Sequence, residues 1–224
     1  MSEHDSNEPA INVDDAYLLE TPEDNRRLYA RWAESYDDDF ISPMGYVYHE
    51  NVVAAFLDAG GSAGGAVLDV GCGTGIVGVA LGDMGERMVD GIDISPEMID
   101  IARTKKTVFG EAAYRDFYVA DLTAPLELGD DTYTGIISVG TFTHGHLPPA
   151  PLRELVRVAA PSAVCAIGIN AKHYAEMGFD KMFAELTAAR LITSPMLIDV
   201  AIYESADDAH AGDRGSVAMF QVVG

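Results

Sequence analysis

The segment Val67-Leu68-Asp69-Val70-Gly71-Cys72-Gly73-Thr74-Gly75 decides how the rest of the chain is read. A short apolar strand, Ala66 to Val70, runs into three glycines on alternate positions, and Ile76 to Leu81 then opens a helix. Glycines at such a turn let the backbone bend sharply and approach a ligand without Cβ clashes. The helix start offers free N–H groups to that ligand. A second strand, Met88 to Ile92, ends at Asp93. Neighbouring parallel strands place their C-terminal ends side by side, so Asp93 reaches a ligand lying over the loop, where a carboxylate accepts both hydroxyls of a ribose.

Strand and helix signals alternate from here to the C-terminus. Ser95-Pro96-Glu97-Met98 reads as a helix start, with Ser95 as N-cap, Pro96 at the first position and an acid in the first turn. Strands follow at Phe117 to Ala120, Thr134 to Val139 and Ala163 to Ile169, with helices at Ala150 to Val158 and Tyr174 to Arg190. Leu197 to Tyr203 and Val217 to Val223 are two late strands with no helix between them. Five successive strand-then-helix steps imply an α/β fold, a mostly parallel sheet with helices on both faces, closed by an antiparallel pair at one edge. Upstream, Thr21-Pro22-Glu23-Asp24 starts a helix reaching about Tyr36, and a second covers Tyr46 to Ala59 before Gly60-Gly61. The expected organisation is a flexible acidic tail over 1–20, a helical cap over 21–63 and a ligand-binding core over 64–224.

Composition narrows the function. The chain has 224 residues, 48 % of them hydrophobic, enough to bury a sizeable core. Lys plus Arg is 14 and Asp plus Glu is 36, a formal net charge of −22. So acidic a surface repels phosphate backbones and anionic membranes, so neither nucleic acid nor membrane is an expected partner. It suits a salt-tolerant host, and is equally a plain solubility device. The polar N-terminus, with no basic residue in Met1 to Glu8, resembles no targeting signal, so a cytoplasmic location is expected. Cys72 and Cys165 are too few for a disulfide framework and read as small buried residues.

Two cofactor classes share the logic of the glycine loop. Gly73-Thr74-Gly75-Ile76-Val77-Gly78 formally matches the dinucleotide fingerprint, with Asp93 downstream. Yet the glycine turning off the strand is Gly71, and Asp69 sits in the strand's last turn. An anion there repels a pyrophosphate and favours a ligand carrying an ammonium group.

Taken together, Asp69 to Gly75, Gly91-Ile92-Asp93-Ile94-Ser95 and Ala120-Asp121-Leu122 resemble the first three motifs of class I S-adenosylmethionine-dependent methyltransferases, in order over residues 64–170. Tyr29-Ala30-Arg31-Trp32-Ala33-Glu34-Ser35-Tyr36-Asp37 is similar to a helix that precedes the core in many small-molecule members. Val139-Gly140-Thr141-Phe142-Thr143-His144-Gly145-His146 and Leu155-Val156-Arg157-Val158 resemble the Williams–Beuren-region methyltransferase-like subgroup. Two positions depart from the family pattern. The fourth strand begins Tyr133-Thr134 in place of an aromatic-Asp pair, and Pro161-Ser162-Ala163 stands where Pro-Gly-Gly is usual.

The resemblance implies a Rossmann-like, seven-stranded sheet, S-adenosylmethionine as cofactor, and methyl transfer to a small-molecule acceptor by a monomer or homodimer. It implies a cofactor site of Asp69, Gly71, Cys72, Gly73 and Gly75 in the loop, Asp93 on the ribose, Asp121 beside the adenine amino group, and Ile94 and Leu122 against the ring. Met98 and Val139 join as walls, and Tyr36 as part of a lid. Each of Ile94, Leu122 and Met98 reads equally as ordinary core, and Trp32 with Tyr36 as an aromatic staple. Asp37-Asp38-Asp39 reads as a solvated run. His144 and His146 follow the fourth strand at the ligand-binding edge, as general base or substrate contact, or as plain loop residues. Asn170 and His173 lie at the same edge, and no metal site is expected. The alternatives are a non-catalytic cofactor-binding scaffold and an NAD-dependent oxidoreductase.

Overall fold

The local signals at Thr21-Pro22 translate directly into structure. In the computed structural model, which describes residues 11, 15–16, 19, 21–61, 64–85, 88–143, 146–204 and 212–224, helix α1 spans Pro22–Trp32. The Thr21 hydroxyl accepts the Asp24 N–H at 3.1 Å, a cap that contributes about 1 kcal/mol. Of the expected acidic tail only isolated positions are described; the rest lies outside the described residues. A single π turn, Asp37–Ile41, leads to α2, Tyr48–Asp58.

The core alternates as expected: β1 Val67–Val70, α3 Ile76–Asp83, β2 Val89–Asp93, α4 Pro96–Ala102, β3 Asp116–Val119 and β4 Tyr133–Phe142. It continues with α5 Leu152–Val158, β5 Ala159–Asn170, α6 Ala171–Met177, α7 Phe179–Ala188, β6 Met196–Ala201 and β7 Arg214–Gln221. The sheet has seven strands in the order β3-β2-β1-β4-β5-β7-β6. Four buried residues in a row on β1 reflect its central place, with β2 on one side and β4 on the other. Leu152, Phe179 and Phe183 cover one face of the sheet. Val52, Phe56, Val77 and Ile99 cover the other.

Two expectations need correction. The step after β3 has no helix: residues 120–132 cross as turns. The long helix expected over Tyr174 to Arg190 breaks at Gly178, whose φ of 78° is open to glycine and costly for other residues. The closing strands form the expected antiparallel pair at one edge of the sheet. β7 inserts between β5 and β6 and pairs antiparallel with both, so β6 runs in the direction of β5.

Both family departures have a physical setting. Tyr133 donates its hydroxyl to the fully buried Asp90 at 3.1 Å, and Arg115 grips the same carboxylate at 2.9 and 2.6 Å. Ser162 lies at the tip of an irregularity where the β4–β5 register slips between Tyr133 and Gly135, and its φ is 68°. A side chain there bears about 1 kcal/mol of strain that glycine avoids.

Candidate active site

β1 delivers the chain at Val70 into a loop whose three glycines all have positive φ: 70° at Gly71, 52° at Gly73 and 92° at Gly75. The N–H groups of Gly71 and Cys72 both donate to the Ile92 carbonyl, at 2.8 and 3.1 Å, binding the loop to β2. A Cβ on Gly71 would lie 2.0 Å from the Thr141 hydroxyl, whereas one on Gly73 would meet nothing within 4 Å. Gly71 is therefore needed for packing, and Gly73 leaves open space for a ligand.

Asp93 stands at the end of β2. One of its carboxylate oxygens accepts the Gly73 N–H at 2.9 Å, the other the Ser95 N–H at 2.9 Å. Burial raises its pKa, and these backbone donors oppose the rise. Each oxygen keeps a lone pair for a further donor. Ser95 caps α4 by accepting the Met98 N–H at 3.2 Å, and this holds Ile94 and Met98 beside the acid.

A cleft of about 980 Å³, partly open to solvent, runs from this acid across the loop. Ten of the residues expected in the cofactor site line it: Tyr36, Gly71, Cys72, Gly73, Asp93, Ile94, Met98, Asp121, Leu122 and Val139. Asp121 accepts the Thr123 N–H and hydroxyl at 2.8 and 2.7 Å through one oxygen, so the capped turn and the cleft position coexist. Ile94, Met98 and Leu122 give that end an apolar wall suited to a flat ring. Gly75 borders the cleft without lining it and serves as N-cap of α3.

Asp69 is placed differently from the sequence expectation. It is fully buried behind the loop and does not line the cleft, so a direct contact with a ligand ammonium is absent from this geometry. Tyr114 donates its hydroxyl to Asp69 Oδ2 at 2.6 Å and accepts the Gly78 N–H at 2.9 Å. Gly78 N–H is one of the free donors of the first turn of α3, so Tyr114 caps this helix from the side. Burial pushes the Asp69 carboxyl up to about 7, opposed by the Tyr114 hydrogen bond and reinforced by the nearby charge of Asp93. Gly78 thus packs against Tyr114, where a Cβ would come within 2.2 Å of the ring, and its N–H is not available to a pyrophosphate.

The cap region closes the other end. Asp37 accepts the Thr74 hydroxyl at 2.6 Å and pairs with Lys105, so one member of the acid triple is a bridge between cap and loop. Asp38 and Asp39 are exposed, as expected of a solvated run. Tyr29 of α1 is hydrogen-bonded to His146 Nε2 at 2.8 Å, and both line the cleft. His144 lies outside the described residues. Asn170 caps α6 by accepting from Lys172 and His173 N–H, and the His173 ring bonds the Leu147 carbonyl at 2.8 Å, so both carry structural roles. Among the described residues no group of His, Cys, Asp or Glu is arranged to hold a metal ion.

Sequence reasoning missed Tyr114, Tyr29 and the Asp37 bridge. The first is paired across 45 positions and the last across 37, and no local pattern marks such partners.

Comparison with known proteins agrees with the geometry. Residues 67–162 match the methyltransferase domain family. Human methyltransferase-like protein 27 is 29 % identical over 141 residues, covering 62 % of this chain and 55 % of that protein. An O-methyltransferase of Pyrenophora dematioidea is 28 % identical over 106 residues, 47 % of this chain and 39 % of that protein. The chain thus spans about half the length, or less, of these curated relatives. Among solved structures, a SAM-dependent methyltransferase from Thermotoga maritima superposes with a TM-score of 0.57 at 15 % identity, covering 88 % of this chain and 98 % of that one. A protein from a study of thioacetal formation in echinomycin biosynthesis gives 0.53 at 24 % identity, with 76 % and 80 % covered. The open flank at Gly73, the carboxylate of Asp93 and the apolar wall fit a nucleoside-bearing ligand. Residues 67–162 of this chain thus carry a methyltransferase domain, and the fold is the one seen in S-adenosylmethionine-dependent methyltransferases.

Proposed function

We propose that this chain transfers a methyl group from S-adenosylmethionine to a small-molecule acceptor. The observation that carries the reading is one continuous cleft with a ribose-competent acid, Asp93, at one end and the Tyr29–His146 pair at the other. When bound, S-adenosylmethionine supplies an electrophilic methyl on a positively charged sulfur. Asp93 accepts the ribose hydroxyls, Asp121 faces the adenine amino group, and Ile94, Met98 and Leu122 hold the ring. Gly73 leaves room for the ligand to pass close to the loop. Tyr36, Tyr29 and the rest of the cap exclude water, which strengthens the electrostatics inside. Catalysis is then mainly positioning and desolvation. His146 takes a proton, directly or through the Tyr29 hydroxyl, from an acceptor that arrives protonated.

The acidic surface supports a small molecule over nucleic acid. Two free, buried cysteines accord with a reducing, cytoplasmic setting. Protein acceptors are the competing reading, because a ribosomal protein L11 methyltransferase of Aeromonas hydrophila is 35 % identical over 106 residues. The Tyr133-Thr134 departure does not speak for a non-catalytic scaffold, since Tyr133 is occupied with Asp90 rather than with the cleft.

Isothermal titration with S-adenosylhomocysteine and NAD in parallel tests the cofactor side. Saturable binding of the first alone is expected, and binding of NAD alone overturns the reading. A screen of small-molecule and peptide acceptors with labelled S-adenosylmethionine tests the acceptor side. Labelling confined to peptides would refute the small-molecule assignment.

A further inference from the structure

Beside the cofactor cleft, and sharing Tyr29, Tyr36, Tyr46, Gly140 and His146 with it, lies a second chamber, partly open to solvent. Its other walls include Trp32, Phe40, Tyr48, Phe142 and Tyr203. The rings form a connected set: Trp32 and Tyr36 meet edge to face at 4.9 Å, while Tyr36 and Phe40, and Phe40 and Tyr46, meet at a tilt, each at 5.2 Å. Among the described residues, no Asp, Glu, Lys or Arg lines it. In a chain of net charge −22 this is the chemically distinctive property of the chamber.

A second observation concerns Trp32. Its side chain is 3 % exposed, and Nε1 is buried with no hydrogen-bond partner among the described residues. An indole N–H can only donate. A buried donor with no acceptor is costly, and it is relieved by an oxygen brought in from outside the chain.

We infer that the chamber is the acceptor subsite and takes an uncharged, planar aromatic molecule bearing a hydroxyl or other hydrogen-bond-accepting oxygen. The rings offer offset and edge contacts that a flat aromatic occupant completes. An anion meets no cation in the chamber and is repelled by the field of the whole molecule. A cation meets no carboxylate there. An aromatic cage alone does attract cations, so ammonium compounds are the discriminating control. The shared residues place an occupant against Tyr29 and His146, at the junction with the cofactor cleft. The inference deepens the methyl-transfer reading and rests on it for the word acceptor. The chemistry of the chamber is independent of it.

Trp32 is the sole tryptophan of the chain, so its emission reports on this chamber. The full chain, saturated with S-adenosylhomocysteine, is titrated with three matched probes: 4-methylphenol, 4-methylbenzylamine in its ammonium form, and 4-methylbenzoate. Fluorescence excited where tyrosine is silent and calorimetry are read together. The phenol is expected to shift the Trp32 emission saturably and to bind at least about tenfold tighter than either ion, a difference of about 1.4 kcal/mol. Trp32→Phe keeps the ring surface and removes the N–H. By calorimetry it is expected to weaken the phenol severalfold and to leave S-adenosylhomocysteine binding unchanged. Equal or tighter binding of either ion, or no saturable response to the phenol, overturns the inference while the methyl-transfer reading stands. Failure of S-adenosylhomocysteine to bind the wild-type chain brings down the methyl-transfer reading and with it the word acceptor, while the ranking of the three probes still decides the chemistry of the chamber.

Discussion

Replacing Tyr114 by Phe removes one oxygen and keeps the ring that packs at 4.8 Å from Phe117. That oxygen donates to Asp69 Oδ2 at 2.6 Å and accepts the Gly78 N–H at 2.9 Å. The other Asp69 oxygen already has no partner among the described residues. The cost depends on the charge of Asp69. Its carboxyl titrates at about 7 in the folded protein against 3.8 for an ordinary aspartate. Between those values the folded chain holds a proton that the unfolded chain has released. Stability contributed by this group is therefore full below about pH 4 and is lost as pH rises through about 7. The Tyr114 hydroxyl favours the charged form, so the variant raises this pKa further. At about pH 5 the variant loses one ordinary hydrogen bond and leaves a helix N–H bare, together about 2 kcal/mol. At about pH 8, one unit above the wild-type value, the lost stabilisation of the charged form adds at most about 1.4 kcal/mol, for a total of about 3 kcal/mol. Urea denaturation of wild type and variant at both pH values, at fixed ionic strength, measures the difference. Comparison with wild type cancels the titration of the remaining acids. An equal loss at both values would refute the placement of a titrating Asp69 under this hydroxyl. A loss below about 0.5 kcal/mol would refute the capping role as well.

Gly73→Ala places a methyl in open space at φ 52°, so about 1 kcal/mol of strain should accompany a loss of S-adenosylhomocysteine affinity of more than tenfold by calorimetry. Gly71→Ala, which drives a Cβ to 2.0 Å from Thr141, should instead show its main effect as lowered thermal stability; the reverse pattern would contradict the assignment of the two glycines. Asp93→Asn should weaken S-adenosylhomocysteine by about 10- to 100-fold, because a carboxylate that accepts donors is replaced by an amide that accepts through one oxygen only. Unchanged affinity there would remove Asp93 from the ribose. Ser162→Gly relieves a positive φ and should raise the urea midpoint by the equivalent of up to about 1 kcal/mol, with no change in ligand binding.

The elements legible in the sequence were those specified by neighbours in the chain. Thr21-Pro22 and Ser95-Pro96 announce helix starts through capping chemistry completed within three residues, and both side chains make the expected bond. The glycine loop and Asp93 were legible because strand, turn and helix follow one another without interruption. The order of β6 and β7 was not, because pairing with β5 is decided by which hydrophobic edges remain to be covered after the parallel strands have assembled. Asp69 was correctly singled out as an unusual acid in a strand, but its partner comes from residue 114, and only the fold shows that it faces away from the cleft. Asp37 was hidden within a run of like charges; the π turn rotates it toward Thr74 and leaves its two neighbours in solvent.

The same cap segment touches both halves of the site through different chemistry. Asp37 reaches the glycine loop through the hydroxyl of Thr74, which sits between the open flank of Gly73 and the N-cap Gly75. Tyr29, eight positions earlier, reaches His146 at the entrance to the aromatic chamber. Trp32 and Tyr36 lie between these anchors, and their edge-to-face contact at 4.9 Å makes the intervening segment one packed unit. Interiors packed in this way shift between discrete arrangements rather than deforming smoothly. A cap that moves off the loop must therefore withdraw Tyr29 from His146 in the same motion. The ion pair that joins this segment to the chain just beyond α4 is only partly buried: the Asp37 and Lys105 side chains are each 28 % exposed. Exposed and half-exposed ion pairs contribute about 1 kcal/mol or less. If the cofactor packs beneath the cap at Tyr36, as proposed, it adds to the closed side of this balance. On the proposed reading, it organises the acceptor chamber before an acceptor arrives.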